Sequence, residues 1–387
     1  MLAIRDPVQQ ILDAVHSCTE QKFKRDEIEK IIDTAKKIGR PQKNDVLKLK
    51  KKKYSLARSV FLSGVDGRAH IVMTRHKRGK DHMVGKGSHK LIKKKVSFDL
   101  ARLDQIKVGA LAITKKKRVE AKMKKNGQPF SWEDIKNKAE REVVLLRKFH
   151  GNSSIIEVDF FFKDSKKRVY VGIELGKMDL HHLINTRNLS SFKENLLLAR
   201  DCAKAVQVLH DRRHPILHRD IKPENFLVMS NGRIKLIDLG LACEDRDVLE
   251  KKTPLGTPGW LSPEIAKMSA ERKEDPSLVT PANDLFPLGL TICAIFTGMI
   301  FSFQCAQADA RSKGLRILAN LTNEKVQKEF PRLNCPEVLR PLLLSLLDVD
   351  PQKRMKASQA VDLLENLIKE ESKKSMPESE EKNTIDC

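Results

Sequence analysis

The nine residues HRDIKPENF, 218 to 226, followed by IDLG at 237 to 240, constrain this chain more than any other feature. They set two carboxylates (Asp220, Asp238), a carboxamide (Asn225) and an ammonium (Lys222) along a loop and a short hairpin-like stretch. Oxygen donors at this spacing suit a metal-phosphate site, because Mg2+ takes oxygen ligands and keeps several waters. Phosphoryl transfer needs a group that orients the attacking hydroxyl and accepts its proton, oxygen ligands for the ion, and cations that hold the phosphates. Asp220 suits the first role and Asn225 and Asp238 the second. Lys222 stands where it would offset charge on the group being transferred.

Around this stretch the hydrophobic pattern changes along the chain. Val8, Ile11, Leu12 and Val15, then Ile28, Ile31, Ile32 and Ala35, recur at helical spacing. They predict one or two amphipathic helices over 7–38, ended by the Gly and Pro of IGRPQKND. SVFLS and HIVMT flank GVDGRA and predict a β-hairpin. A glycine loop (GKGSHKLI, 85 to 92), a strand GALAITKKK, a helix over SWEDIKNKAEREVVLLRKF with Ser131 as N-cap, and a strand pair SIIEVDFFF and RVYVGIEL follow. From about residue 180 the pattern is mainly helical, as in FKENLLLARDCAKAVQVLH. The expected fold is α+β, a small β-rich part followed by a larger α-rich part, joined near ELGKMD.

One span, LFPLGLTICAIFTGMIFSFQ (285 to 304), has no charged residue and imitates a membrane helix. Its Pro287, glycines and polar residues favour a buried core helix instead. The chain's net charge of +23 is concentrated, since residues 36–125 hold 29 Lys or Arg against 6 Asp or Glu. That stretch reads either as a solvated lysine-rich surface or as an attractor for an anionic partner: an acidic protein surface, lipid or nucleic acid. Sparse aromatics there weaken the case for base stacking. The seven cysteines lie far apart with no CxxC pair, as expected of reduced thiols in a cytosol-like compartment. MLAIRDPVQQ carries Arg5 and Asp6 where a secretory leader needs its apolar stretch. A cytoplasmic location is the expectation, with nuclear and secreted-effector locations left open.

With HRDIKPEN and DLG at this distance, the chain resembles the eukaryotic-type protein kinase family over residues 80 to 368. The resemblance implies a two-lobed kinase-like fold with an N-lobe at 80–175 and a C-lobe at 176–368. A helical segment at 1–40 and a basic segment with the hairpin at 41–79 would precede it, and a disordered acidic tail would occupy 369–387. It implies transfer of the γ-phosphate of ATP, with Mg2+, to Ser or Thr hydroxyls of proteins, since HRDIKPEN is similar to the Ser/Thr branch. Asp220 would be the base, Lys222 its neighbour at the phosphoryl group, and Asn225 and Asp238 the metal ligands. GTPGWLSPE (256 to 264) resembles the segment that closes the activation loop, with Thr257 against the base and Glu264 paired with Arg354. Ser262 stands there in place of the usual alanine. DLFPLG (284 to 289) resembles the start of the family's buried central helix, with Asp284 supporting the HRD backbone. In the nucleotide site, Gly85 and Gly87 match the glycine loop, Ile92 and Ala112 the residues packed over adenine, Glu174 and Leu175 the hinge, and Leu227 the floor. Leu239 stands where phenylalanine is commoner, and Thr253 matches an activation-loop phosphosite read by Arg219.

One position departs from the family pattern. Glu142 matches the helix glutamate that pairs with a strand lysine, but the strand reads ALAIT and Thr114 occupies the lysine's place. Three readings stay open. Lys115 could serve through a bulge. Lys90, at the third glycine's position, shares Ile92's face by strand alternation and is long enough to reach the phosphates, an arrangement similar to the with-no-lysine kinases. Alternatively the site is impaired, and the chain is a pseudokinase adaptor that binds nucleotide and an anionic partner without turnover.

Overall fold

The computed structural model describes residues 6–19, 23–38, 60–63, 69–74, 85–86, 90–125, 131–164, 168–186, 191–247, 255–298 and 310–374. Gly87, Thr253 and the ends of the basic segment lie outside them. The chain divides into two units, residues 1–152 with 156–176, and residues 153–155 with 177–387.

The first unit is built on one antiparallel sheet. Its elements are α1 (Pro7–Thr19), α2 (Arg25–Ile38), β1 (Val60–Ser63), β2 (Ala69–Thr74), β3 (Gly85–Lys86), β4 (Lys90–Asp99), β5 (Ile106–Lys115), α3 (Lys116–Lys125), α4 (Trp132–Arg147), β6 (Val158–Asp164) and β7 (Arg168–Glu174). The strands run in the order β1-β2-β4-β5-β7-β6, and β3 also pairs with β4. The expected hairpin is β1 with β2, in register from Val60↔Val72 to Ser63↔Ala69. β2 takes the Lys95–Asp99 half of β4, and β3 pairs at Leu91 and Ile92.

Strand alternation gives this sheet two faces with different jobs. Ile71, Met73, Val96 and Phe98 lie on one face and are buried against Ile11, Leu12, Val15, Ile28, Ile31 and Ile32 of α1 and α2. The amphipathic N-terminal helices thus complete the core of this unit. Each such side chain, fully buried, contributes about 1.5–3 kcal/mol. The other face buries Val72, Leu111, Ile113, Phe160 and Tyr170.

On that second face lies a residue the sequence disguised. Lys95, third in the run KKK, is fully buried, its ammonium 2.5 Å from Asp159 and 3.1 Å from Ser97. Burial depresses its pKa, opposed by the charge and hydrogen bond of Asp159. Gly109 opposite it explains the route, since a Cβ there would come within 2.8 Å of the ammonium and 2.6 Å of the Ile173 carbonyl. The reading of this lysine cluster as solvated surface is therefore corrected at Lys95. A second correction concerns GALAITKKK, where the strand stops at Lys115 and Lys116 already begins α3.

The second unit is mainly helical. It contains β8 (Met178–Asp179), α5 (Leu180–Thr186), α6 (Phe192–His210), β9 (Ile216–Leu217), β10 (Phe226–Val228), β11 (Ile234–Leu236), β12 (Cys243–Glu244), α7 (Pro263–Glu271), α8 (Ala282–Thr297), α9 (Ala310–Ala319), α10 (Asn323–Glu329), α11 (Arg340–Leu346) and α12 (Ala357–Lys374). Ser191 and Glu194 close α6 with a reciprocal capping box. The span that imitates a membrane helix supplies α8, whose residues from Asn283 to Phe296 are all buried. It packs on α6 and α11, and among the described residues no helix is long and apolar enough to cross a membrane. α12 runs on to Lys374, so the stretch expected as a disordered tail from 369 begins as helix.

Candidate active site

In the first unit α4 and β4 bring a cation to a carboxylate. Ser131 caps α4 by accepting from the Asp134 amide at 3.2 Å, with Glu133 and Asp134 in the first turn favoured by the helix dipole. Ala139, Glu142, Val143 and Leu146 recur at helical spacing and form its buried stripe, which turns Glu142 inward. There Lys90 Nζ donates to both Glu142 oxygens at 2.8 Å.

The register of the strands fixes which side chains share that place. Lys90 lies directly across from Thr114, Ile92 across from Ala112, and Gly85 across from Ile92. β5 runs without a bulge between its partners, from Phe98↔Ile106 to Lys90↔Thr114 on one side and from Gly109↔Glu174 to Lys115↔Arg168 on the other. Alternation therefore carries Lys115 to the face opposite Ala112 and Thr114. Glu174, at the end of β7, is held by Glu157, whose amide donates to Glu174 Oε2 at 2.9 Å and whose carbonyl accepts the Glu174 amide at 3.3 Å. Leu175 follows it.

In the second unit the site grows from Asp284. Its carboxylate is almost wholly buried, and it accepts from the His218 amide at 2.8 Å, the Arg219 amide at 2.8 Å and His210 Nε2 at 3.0 Å. Burial alone would raise its pKa, but the hydrogen bond and charge of His210, together with His218, hold it below the usual value. These bonds clamp Arg219 in the left-handed region, φ 62°, which non-glycine residues rarely adopt. Arg219 Nε donates to the Leu241 carbonyl at 2.6 Å. His218 Nδ1 accepts from the Asp220 amide at 3.2 Å, so the hydrogen on Nε2 points to the Ile237 carbonyl 3.1 Å away.

Asp220 then stands with both oxygens engaged. Thr257 Oγ1 donates to Oδ1 at 2.6 Å, Lys222 Nζ to Oδ2 at 2.7 Å and Asn225 Nδ2 to Oδ2 at 3.1 Å. Lys222 also donates to Thr257 Oγ1 at 2.5 Å, which closes a triangle of ammonium, hydroxyl and carboxylate. The β10–β11 pairing, continued by the Ile237 amide on the Asn225 carbonyl at 2.9 Å, brings Asn225 across from Ile237, the residue before Asp238. Asp238 is exposed, with φ 61°. Leu227 is half-buried opposite Asp179, and Leu239 is buried. Glu264 meets Arg354 through two bonds of 2.7 Å and accepts from Asn283 at 2.6 Å.

His210 and Asn283, which sequence reasoning passed over, complete these supports. Their only signals were a histidine at the end of α6 and an asparagine just before Asp284. The donor set suits a hard ion: Asn225 gives its amide nitrogen to Asp220 and keeps a carbonyl oxygen, and Asp238 brings a carboxylate. No three His, Cys, Asp or Glu side chains converge on a metal site among the described residues. An ion here would therefore also need oxygens from a bound phosphate. Chemically, the arrangement can hold a polyanion near a fixed carboxylate that accepts a proton.

A family model described as Protein kinase domain matches residues 107–363. The match begins within β5, so Gly85, Lys90 and Ile92 precede it. The chain is 28% identical over 234 residues to the phosphorylase b kinase gamma catalytic chain, liver/testis isoform, of Bos taurus, covering 60% of this chain and 55% of that one. It is 27% identical over 229 residues to a putative mitogen-activated protein kinase kinase kinase 7-like of Drosophila melanogaster, covering 58% and 55%. It is 27% identical over 242 residues to MAP kinase-interacting serine/threonine-protein kinase 2 of Xenopus laevis, covering 57% and 50%. The chain thus spans about half the length of these relatives.

Proposed function

The chain belongs to the protein kinase domain family, and on that premise we propose that it transfers the γ-phosphate of ATP to Ser or Thr hydroxyls of protein substrates. The observation that carries this reading is the engagement of both Asp220 oxygens by Lys222, Thr257 and Asn225. A carboxylate held this way keeps one orientation toward an incoming hydroxyl and takes its proton. Lys222 and Thr257 hold that carboxylate, and Lys222 offsets negative charge as the phosphoryl group leaves ATP. Asn225 and Asp238 would hold Mg2+, which when bound neutralises charge on the phosphates.

Lys90 is the phosphate-anchoring lysine in this proposal, positioned by Glu142. Its two bonds to Glu142 and the bulge-free β5 favour it over Lys115. Gly85, Gly87, Ile92, Ala112, Glu174, Leu175 and Leu227 take the nucleotide. Phosphorylation of Thr253 would add nearly two negative charges within the activation segment, for Arg219 to read. Residues 36–125 would attract an anionic partner, and the location would be cytoplasmic. The second reading, an adaptor without turnover, rests on Thr114 and is weakened by the Lys90–Glu142 pair.

The test is transfer of labelled phosphate from ATP to a generic basic protein by the purified, Mg2+-supplied chain. Transfer that disappears in Asp220→Ala is the expected result. ATP binding without transfer in the unsubstituted chain would overturn the enzymatic reading in favour of the adaptor.

A further inference from the structure

The strand that carries Lys90 is poorly specified by its own pattern. β4 reads KLIKKKVSFD, and in its first half Leu91 and Ile92 are neighbours while Lys93, Lys94 and Lys95 follow in a row, so no alternation marks a face. Val96 and Phe98 restore a period of two and turn one face toward α1 and α2. That settles the face and leaves the register open, because a shift of two residues keeps every side chain on its face. Such a shift would bring Ile92 across from Thr114 in one direction, or Lys90 across from Ala112 in the other. The connection to β5, Leu100 to Gln105, is longer than the two-residue turns that fix a hairpin's register.

A buried charge distinguishes the observed alignment from its shifted alternatives. Lys95 lies across from Gly109, and its ammonium meets Asp159 at 2.5 Å and Ser97 Oγ at 3.1 Å, with the centre of the Phe160 ring 5.1 Å away. β5 and β7 lie between β4 and β6, so this contact ties strands that do not pair with each other. Two glycines clear its path. A Cβ on Gly109 would come within 2.8 Å of the ammonium, and one on Gly172 of β7 within 2.4 Å of the Phe160 ring. Asp159 sits where the β6 pairing jumps from Val158↔Ile173 to Phe160↔Gly172. Such an irregularity re-aims a side chain, and here it lets the consecutive residues Asp159 and Phe160 both meet Lys95. Shifted by two residues, Lys95 would lie across from Lys107 or Leu111 and move about 7 Å, beyond reach of Asp159. A wholly buried ammonium without its carboxylate is strongly disfavoured, so the pair selects one register.

We propose that Lys95 is a positioning residue: paired with Asp159, it fixes β4 on β5 in the register that holds Lys90 across from Thr114 and against Glu142. Lys90 lies on the opposite face, about 17 Å away along the strand, so Lys95 acts through the backbone and touches no substrate. The catalytic consequence rests on the reading of Lys90 as the phosphate-anchoring lysine; the register itself is a property of the sheet. Replacing both charged partners by apolar residues of similar size costs little stability or adds some. The strand then loses what selects its register, and Lys90 leaves Glu142 in part of the molecules.

The experiment reads the register by disulfide trapping in the full chain. Lys90→Cys with Thr114→Cys sets two thiols across from each other, at a Cα separation of about 4.5–5.5 Å that a disulfide spans. Mild oxidation and peptide mapping by mass spectrometry should show the link between these positions. Adding Lys95→Met with Asp159→Leu should cut its yield at least about fivefold while a cooperative urea transition persists. Yield should rise at a shifted pair, Ile92→Cys with Thr114→Cys or Lys90→Cys with Ala112→Cys. An original link within about twofold of its first yield, or a fall with no gain at either shifted pair, would overturn the proposal. With Lys90 retained, the Lys95 and Asp159 replacements should lower kcat/KM for ATP at least about tenfold, and Lys90→Met added to them should cost little more. Fully additive losses would also overturn it. If the apolar pair fails to fold, Asp159→Asn, which keeps a bond to the ammonium and drops the charge, is trapped the same way: a weaker original link is expected, and an unchanged one overturns the proposal. No phosphate transfer by the unsubstituted chain would defeat the kinase reading alone, and the link yields would still decide the register.

Discussion

Replacing Lys90 with methionine keeps the aliphatic stem and deletes the ammonium that meets both Glu142 oxygens at 2.8 Å. Hydrogen bonds to charged groups are worth about 1.5–3 kcal/mol each, and the pair is mostly shielded, its side chains 26% and 8% exposed. If that ammonium also holds the phosphates in the transition state, its loss removes about 3–4 kcal/mol, a fall in kcat/KM on the order of 10^2- to 10^3-fold. The assay is steady-state peptide phosphorylation at varied ATP. Because Lys90 and Glu142 would act as one unit, Lys90→Met with Glu142→Gln should be little worse than Lys90→Met alone. Thr114 lies directly across from Lys90, with Cβ atoms about 4.5–5.5 Å apart in such pairs. Lys90→Ala with Thr114→Lys should therefore recover part of the loss, since a lysine stem covers that gap. Activity of Lys90→Met within about threefold of the parent, with Lys115→Met severely impaired, would refute the reasoning.

Other consequences are testable separately. Arg354→Ala leaves Glu264 without its two guanidinium bonds in a mostly buried place; urea melts should show a loss of about 3–5 kcal/mol. The Asp284 carboxyl has a folded pKa below its ordinary value near 3.8. Its stabilisation is thus complete above that value and lost as pH falls through the lower, folded one; Asp284→Asn should flatten the fall in stability below about pH 4. Gly109→Ala forces a Cβ within 2.6 Å of the Ile173 carbonyl and 2.8 Å of the Lys95 ammonium, and should cost about 1–3 kcal/mol in the same melts. Retention on an anionic resin should weaken steeply with salt, because exposed charges are screened over about 8–10 Å near physiological ionic strength.

How legible each element was depended on how local its cause is. The α4 helix with its cap at Ser131 and the strand pair β6–β7 follow from neighbours a few residues apart, and the pattern foretold them. The apolar span of α8 was legible as helix, and its placement in a core followed from the polar residues and Pro287 within it. Lys95 was hidden because a run of lysines reads as solvated until a distant Asp159 and a glycine on the next strand give one of them a buried route.

By itself the amino-acid sequence determined the α+β character, the family resemblance and the candidate site residues that the resemblance implies, because HRDIKPEN, DLG and the helical and strand periods are local. For the lysine missing at Thr114 it left three readings open: Lys90, Lys115 or an impaired site. Tertiary structure decided which lysine meets Glu142, because that rests on the pairing of β4 with β5, and a one-residue slip would turn every side chain to the other face. It likewise decided how Asp284, met by His210, holds the His218 and Arg219 amides and how Asn283 ties α8 to Glu264, since those contacts close only after α6, α7 and α8 pack.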